Sequence, residues 1–273
     1  LVLALVAYPL VYTIALAFTD AHEFSGPGSF TGLDNARALV HDPYFWPAVR
    51  NTLVLTSLTI VLEVALGVAT ALLLWWRFWG RSLVFLVVFV PWVFPAAFSS
   101  FAWYILFKPP FHTFYTAQAV QFKAALEGVL GPSAWYFLTV LTFNVWRCSS
   151  FVAVFVLAGL NGIPRELLHY ARLESSSPWD HFREVILPLI HRFIVLAVLT
   201  SLVITFMDYT IVYLQTGGLI FQPLLGTRAY IEGIEAGNTG LGAAYTVIQF
   251  PVVALILYVA FRWFEREPAD RPS

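Results

Sequence analysis

The feature that most constrains this chain is a long run of apolar residues from Thr52 to Trp76, interrupted only by Glu63. A helix needs about 20 apolar residues to cross the hydrocarbon core of a bilayer, and this run exceeds that length. Of the 273 residues, 59% are hydrophobic and only 11% are charged, with a mean hydropathy of +0.76. About a quarter of the residues in a soluble domain are charged. The sequence therefore predicts an integral membrane protein.

Five further apolar stretches alternate with polar segments, and together they predict an all-α, polytopic membrane protein. Pro91 and Pro95 are expected to bend or open the third span, because each removes one backbone hydrogen bond. The polar segments 20–51, 108–133 and 215–240 are predicted as loops. We expect a single domain, 1–273, whose six transmembrane helices lie at about 1–19, 52–76, 82–107, 134–160, 191–214 and 241–263.

The first apolar run has no basic residue before it, which suggests that a cytoplasmic N-terminal tail precedes the given sequence. A cleaved signal peptide is the alternative, because Ala15-Leu16-Ala17 resembles a small-x-small cleavage site. Signal peptides carry a basic region ahead of the apolar run. The lack of one here favours a membrane span.

The basic residues predict how the spans are oriented. With the N-terminus inside, nine of the fifteen Lys and Arg residues are cytoplasmic and five are outside, while Arg147 lies in a span. This bias agrees with the positive-inside rule. Both termini are therefore predicted to be cytoplasmic.

A polar segment, about 161–190, separates the fourth and fifth spans on the predicted cytoplasmic side. Pro164 favours a helix start there, because a proline in the first turn of a helix gives up no backbone hydrogen bond. A short helix is expected over 164–173. Its apolar residues Leu167 and Ala171 lie on one face.

A second helix start follows in the same segment. Ser177 is placed to cap the helix, and Pro178 and Asp180 occupy the first and third positions after it. The predicted helix, about 178–186, ends before Pro188. The two helices form an amphipathic pair that suits docking better than spanning the membrane.

Three charged residues fall inside predicted spans: Glu63, Arg147 and Asp208. An unpaired charge at the bilayer centre costs about 2.5–3.5 kcal/mol, so each is expected to face the bundle interior, water or a partner. We interpret Glu63 as a structural acid that bonds to a neighbouring span.

Polar residues near the other two charges recur at helical spacing and form two strips. A binding cavity between the fourth and fifth helices explains both strips. The alternative is that the hydroxyls bond back to their own helices, that Asn144 and Arg147 reach other spans, and that Asp208 lies at the outer interface. The strips comprise Asn144, Arg147, Cys148 and Phe151 on the fourth helix and Ser201, Thr205 and Asp208 on the fifth.

The composition argues against several functions. A net charge of −1 and only two lysines give no basic field for nucleic acid. The single cysteine cannot form an internal disulfide, and the six histidines lack metal-ligand spacing, so no metal site is expected. No phosphate-binding loop of the form G-x-x-x-x-G-K-[ST] occurs, so the chain is not expected to be an enzyme that hydrolyses ATP.

Segments along nearly the whole chain resemble the ABC-transporter permeases of binding-protein-dependent sugar importers, similar to the larger permease of the maltose transporter. The polar loop resembles that family's EAA loop from Ile163-Pro164 to Leu187-Pro188-Leu189. It departs from the usual Glu-Ala-Ala and Asp-Gly-Ala at His169-Tyr170-Ala171 and Glu174-Ser175-Ser176. The other matching pieces are Ala7-Tyr8-Pro9, Gly32-Leu33-Asp34-Asn35, Asn51-Thr52-Leu53, Trp146, Ala158-Gly159-Leu160, Asp208, Tyr213, Thr216-Gly217-Gly218 and Gly242-Ala243-Ala244.

The resemblance implies one transmembrane subunit of an ATP-driven importer in a prokaryotic inner membrane. It implies an extracytoplasmic solute-binding protein, a second permease subunit, and two ATPase subunits that use ATP-Mg, while this chain binds no cofactor itself. Solute contacts would come from the two polar strips. The residues implied to dock the ATPase are Glu166, Leu167, His169, Tyr170, Ala171, Glu174, Ser175 and Ser176.

We expect the solute to be a sugar, a disaccharide or an oligosaccharide. Another polar solute, such as a glycerophosphodiester, is the alternative within this class, with Arg147 as a natural phosphate partner. An ion-coupled secondary transporter or channel is the alternative from another class, with Glu63, Arg147 and Asp208 as a relay. Inverted repeats would favour that reading, and none is evident in the sequence.

Overall fold

The computed structural model describes residues 2–23, 26, 28–76, 78–107, 117–131, 134–164, 166–168, 177–216 and 223–265. Regular structure within these ranges is helical, apart from isolated bridges that join Thr19 to Phe30 and His22 to Gly26. The all-α prediction is confirmed. The helices are α1 Val2–Leu16, α2 Asp34–His41, α3 Phe45–Trp75, α4 Arg81–Val93, α5 Ala96–Phe107, α6 Ala117–Leu130, α7 Ala134–Asn161, α8 Pro178–Met207, α9 Thr210–Thr216, α10 Leu225–Tyr230, α11 Thr239–Val247 and α12 Gln249–Glu265.

Four helical stretches are long and apolar enough to cross a membrane: α3, α7, α8, and α11 continued by α12 as far as Val259. The pair α4 and α5 provides a fifth if it counts as one span. The 15 residues of α1 extend about 23 Å, less than the roughly 30 Å of a hydrocarbon core. Each of the six predicted apolar segments is mostly helical where it is described. The total of six spans stays a prediction, as does the single-domain assignment.

The second helix of the polar segment does not end before Pro188, so that prediction is wrong. α8 continues through the proline and widens just ahead of it into a π-helical turn, Phe182–Ile186, in which the Leu187 N–H donates to the Phe182 carbonyl. A proline inside an α-helix lacks an N–H, and its ring clashes with the carbonyl four residues earlier, here that of Glu184. The wider turn changes the spacing of these carbonyls, so the helix can continue.

Other prolines act as expected. The third predicted span opens between α4 and α5, with Pro95 in the gap and Pro91 inside α4. α11 and α12 are separated at Ile248. Pro251 explains this break, because it has no N–H to donate to the carbonyl of Val247.

Three segments that were predicted as loops contain helices. Residues 20–51 hold α2 and the first turns of α3, residues 108–133 hold α6, and residues 215–240 hold α10. In α6 the residues favour helix, and Lys123 forms an ion pair with Glu127 one turn later at 3.6 Å. A search for apolar runs misses such helices because they are polar.

The chain groups into two compact units. Four of the five boundaries between them fall inside α3, α7, α8 and α12, so both units contain parts of several helices, and the fifth lies between α4 and α5. The first unit comprises Leu1–Thr56, Ala96–Val140 and Phe206–Ile256, and the second comprises Ser57–Pro95, Leu141–Thr205 and Leu257–Ser273.

The core of the second unit joins α3, α7 and α8. A Cβ atom at Gly67 of α3 would lie 2.6 Å from the Cβ of Val152 in α7, so the two helices approach as closely as only glycine allows. The approach leaves an apolar interior that supports the polar site described below. Its buried residues include Ala71, Leu74, Val152, Val156, Leu160, Leu168, Ile186 and Ile190.

The first unit is held together by close backbone contacts and by bonds from polar side chains. A Cβ atom at Gly242 of α11 would lie 2.3 Å from the Cα of Gly233, which follows α10. The side-chain amide of Asn35 donates to the carbonyls of Ala17 and Thr19 at 2.9 and 2.8 Å. These contacts fix the end of α1 against α2 and fix α10 against α11.

Candidate functional site

Six of the seven residues in the two predicted polar strips belong to the second unit. Arg147 and Phe151 are half-buried there, and the Phe151 ring stacks on Trp92 with 5.6 Å between centroids. The others lie in the interior of the unit. The buried members are Asn144, Cys148, Ser201 and Thr205, which are 4%, 4%, 1% and 6% exposed.

Glu63 of α3 lies among these residues. It is fully buried, and its carboxylate is beside the Ser201 hydroxyl and the Cys148 thiol. Within the described residues, neither carboxylate oxygen makes a contact with good hydrogen-bond geometry. The sequence predicts a structural role for Glu63, whereas its position in the structure groups it with the candidate solute residues.

Three hydroxyl groups of the same site share this lack of partners. Thr59, one turn earlier on α3, is fully buried. Across the described part of the chain, the hydroxyls of Thr59, Ser201 and Thr205 also have no hydrogen-bond partner. A buried hydroxyl or amide without a partner costs about 1–3 kcal/mol, so such a group calls for a ligand or water. The spacing of Thr59 and Glu63 on one helix face was the sequence signal for this extension of the site.

Asp208 does not share a helical face with Ser201 and Thr205, so that part of the prediction is wrong. α8 ends at Met207, and Asp208 lies in the break before α9. Its Oδ1 accepts hydrogen bonds from the Thr210 and Ile211 amides at 2.8 and 3.3 Å. An aspartate can satisfy the free amides at a helix start in this way, and here that competes with continuing the helix.

The start of the second helix in the polar segment is confirmed. The Asp180 amide donates to Ser177 Oγ at 3.1 Å, and the Ser177 hydroxyl donates to the Asp180 carboxylate at 2.7 Å, with Pro178 at the first helical position. This is the N-cap that the sequence predicted.

The predicted docking residues are only partly described. Glu166 and Leu167 lie on a short helical stretch and are exposed, whereas the neighbouring Leu168 is buried in the core of the second unit. The exposed pair is therefore available to a partner protein. The other predicted docking residues lie outside the described part of the chain: His169, Tyr170, Ala171, Glu174, Ser175 and Ser176.

An apolar groove of about 880 Å³ adjoins the capped helix start. It is lined by the end of α3, including Leu72 and Trp76, and by the first turns of α8, including Trp179 and Phe182. The Trp76 and Trp179 side chains are 69% and 65% exposed. Phe182 and Ile186 of the same turns pack against the core, so the start of α8 is amphipathic, as predicted.

In the first unit, a buried ionic cluster surrounds Arg228 of α10. The guanidinium contacts the carboxylates of Asp42 at 3.1 Å and Glu232 at 2.5 Å, and it lies over the rings of Tyr44 and Tyr245 at 4.9 and 5.7 Å. The Tyr245 hydroxyl donates to the Asp42 carboxylate. The cluster joins three parts of the first unit: the segment after α2, α10 and α11.

The charge state of Asp42 reflects these contacts. Burial alone would raise its pKa, but hydrogen bonds from the Tyr245 hydroxyl and the Tyr44 amide, together with the charge of Arg228, hold the pKa below its ordinary value of 3.8. Asp42 is thus ionised at neutral pH. Arg228 Nε has no hydrogen-bond partner among the described residues, but the charges of the cluster pair with one another, so it forms a structural network.

Residues 63–268 match the family model described as "Binding-protein-dependent transport system inner membrane component". This chain belongs to that family. The match includes Glu63, both polar strips and the whole docking segment. The residues of α1 and α2 precede it.

Relatives and solved structures agree with this membership. The "Trehalose transport system permease protein SugA" of Mycobacterium tuberculosis is 30% identical over all of this chain and 88% of its own length. The "Sulfoquinovosyl glycerol transport system permease protein SmoG" of Agrobacterium fabrum is 28% identical over 94% of this chain and 84% of its own. A bacterial ABC transporter that imports alginate shares the fold at 17% identity, with a TM-score of 0.73 over 97% of this chain and 91% of its own.

Membership in this family establishes the general role of the protein. The chain is a multi-pass inner-membrane permease subunit of an ABC transport system, and it is a transport component rather than an enzyme. The family resemblance given from the loop and its flanking motifs is confirmed. The roles of individual site residues stay predictions.

Proposed function

We propose that this permease imports a neutral sugar, a disaccharide or a short oligosaccharide, delivered by an extracytoplasmic binding protein. The polar site in the second unit supports this proposal. Asn144, Ser201 and Thr205 supply amide and hydroxyl groups, which are the groups that pair with sugar hydroxyls. A trehalose permease, named for a neutral disaccharide, is among its relatives.

The unpartnered hydroxyls around Glu63 carry this proposal. Their desolvation is already complete, so a solute that bonds to them gains contacts without removing water from them. Neutral polyols provide both donors and acceptors. A glycerophosphodiester also has hydroxyls, but its phosphate accepts only and is negatively charged, so a position close to the Glu63 carboxylate disfavours it.

The same proposal assigns energy supply to partner subunits. A second permease would complete the translocation path, and two ATPase subunits would hold the segment 161–190 of this chain and its counterpart. Both termini would lie in the cytoplasm. The exposed side chain of Leu167 and the capped start of α8 support a docking role for this segment.

The decisive experiment is uptake by proteoliposomes that contain the complete transporter with its binding protein and ATPase. We expect ATP-dependent uptake of a neutral sugar, with trehalose and maltose as the first probes and glycerophosphocholine as the phosphodiester comparison. Uptake of glycerophosphocholine alone would overturn the sugar assignment. Uptake by this chain without ATPase or ATP would overturn the importer mechanism.

A matched pair of variants tests docking. Leu167→Asp places a charge on the exposed apolar side chain of the docking segment, and we expect loss of ATP-driven uptake with normal membrane insertion. Leu33→Asp makes the same change at an exposed leucine in the first unit and should leave uptake intact. Equal uptake by the two variants would contradict the docking assignment.

A further inference from the structure

A cavity in the first unit is lined by none of the predicted solute residues, although Met207 and Tyr209 on either side of Asp208 contribute to it. It has a volume of about 540 Å³, and its other lining residues come from α1, α10 and the turn after it, α11 and the start of α12. This volume is typical of small-molecule sites. None of the described residues that line it is charged.

Aromatic rings form one wall of the cavity. Tyr209 and Tyr230 both line it, and their rings stack with 5.0 Å between centroids and 15° between planes. Tyr213 packs edge-on against Tyr230 at 4.8 Å, and its hydroxyl donates to Glu235. The tyrosine pair is thereby fixed as a flat, rigid surface with polar edges.

Other residues that line the cavity present hydrogen-bond acceptors. Gln249 is 3% exposed, and its amide nitrogen donates to the Tyr245 carbonyl at 2.9 Å. Its Oε1 has no hydrogen-bond partner within the described ranges. Thr13 and Thr246 donate to their own helix carbonyls, so their oxygens are left to accept.

These walls define the chemistry of a ligand. It must donate hydrogen bonds to several acceptors, have an apolar face that can lie on a tyrosine ring, and be uncharged. A pyranose ring meets all three conditions, because its hydroxyls donate and its C–H face is apolar. A phosphate brings no donors, and an acyl chain would leave the Gln249 oxygen without a partner.

We propose that this cavity binds a pyranose ring of a neutral sugar, as a second sugar site formed by Tyr209, Tyr230, Thr246 and Gln249. The site deepens the proposed sugar-import function and rests on it for the identity of the ligand. With both termini predicted to be cytoplasmic, the predicted loop 215–240 that contains α10 is extracytoplasmic, so the cavity would receive sugar from that side.

The test is saturation-transfer NMR of trehalose with the full-length chain in lipid nanodiscs, which needs neither ATP nor partner subunits. We expect saturation of the trehalose C–H protons. Tyr230→Ala should weaken binding about tenfold, while Tyr230→Phe keeps the ring and should stay within about threefold. Gln249→Met keeps the side-chain volume and should weaken binding about two- to tenfold.

Controls separate this site from other outcomes. Tyr8→Ala removes an exposed tyrosine of α1 outside the cavity and should bind like the parent chain. Parent-like binding by both Tyr230→Ala and Gln249→Met would overturn the proposal, as would a lack of trehalose binding to the parent. If Tyr230→Ala fails to fold, Gln249→Met decides alone. ATP-driven sugar uptake that persists with a failed cavity test would leave the proposed function standing and reject only the second site.

Discussion

Two buried polar clusters, one in each unit, differ in how well their charged groups are paired. In the first unit, Arg228 has two carboxylate partners and two aromatic neighbours, and Tyr245 bonds to one of those carboxylates. In the second unit, Glu63 is at least as deeply buried, yet among the described residues its oxygens have no well-formed hydrogen bond. A satisfied cluster rigidifies a fold, whereas an unsatisfied one is destabilising unless something else binds to it. From this contrast we expect the cluster around Arg228 to be structural, and we propose that the cluster around Glu63 is functional.

The largest expected effect comes from breaking the satisfied cluster. Arg228→Met leaves the Asp42 and Glu232 carboxylates buried without their cation, and we expect a loss of about 3–5 kcal/mol, measured as a lower thermal midpoint in nanodiscs. Arg37→Met is the matched control, because its ion pair with Asp34 is exposed and contributes about 0–1 kcal/mol. A similar thermal midpoint for the two variants would show that the cluster around Arg228 does not stabilise the fold.

Acid should weaken the same cluster. Because the pKa of Asp42 is held below 3.8 in the folded chain, its ionised form stabilises the fold at pH values above about 4. This contribution is lost as the pH falls through the lowered pKa. The thermal midpoint of the parent chain should therefore drop more steeply below pH 4 than that of Asp42→Asn. Parallel curves for the two chains would show that the contacts of Asp42 do not stabilise the folded state.

The next largest change in stability is expected at a close helix contact in the first unit. Gly242→Ala puts a Cβ atom against the backbone of Gly233, and we expect a loss of about 1–3 kcal/mol. Gly128→Ala in α6 meets no atom within 4 Å and should stabilise the chain by about 0.5–1 kcal/mol. Shifts of the thermal midpoint in opposite directions would confirm the close approach of Gly242 to Gly233. A lower midpoint for both variants would contradict it.

The sequence predicts the helical class, the apolar segments and the cap at Ser177 because each depends on neighbours within a few residues. Composition and spacing are enough for such local features. The sequence does not predict the Arg228 cluster, because Asp42 and Tyr245 are brought to α10 only by the folded chain. It also does not predict that α8 runs through Pro188, since a π-helical turn removes a clash that a regular helix would suffer.

A substitution at Glu63 tests whether the cluster of the second unit is functional. Glu63→Met replaces a buried carboxylate that lacks good partners with an apolar side chain of similar length, and we expect stability to stay equal or rise by about 1–2 kcal/mol. Sugar uptake by the complete transporter should fall. Groups kept for function at the expense of stability show this combination. A large loss of stability would instead assign Glu63 the structural role that its position in the sequence suggests.

Variants of Asp208 test whether the residues that act on the solute, here called the functional set, extend from the second unit into the first. The sequence groups it with Ser201 and Thr205, but in the structure it belongs to the first unit and caps α9 through its Oδ1. Asp208→Ala removes the cap and should cost about 1 kcal/mol, whereas Asp208→Asn can still accept from the two amides and should stay within a few tenths. The two variants therefore separate the cap from the charge. If Asp208→Asn keeps the parent midpoint but loses sugar uptake in proteoliposomes, the carboxylate acts on the solute and the functional set includes part of the first unit. If Asp208→Asn transports normally and only Asp208→Ala is impaired, Asp208 is a cap and the functional set ends at Thr205.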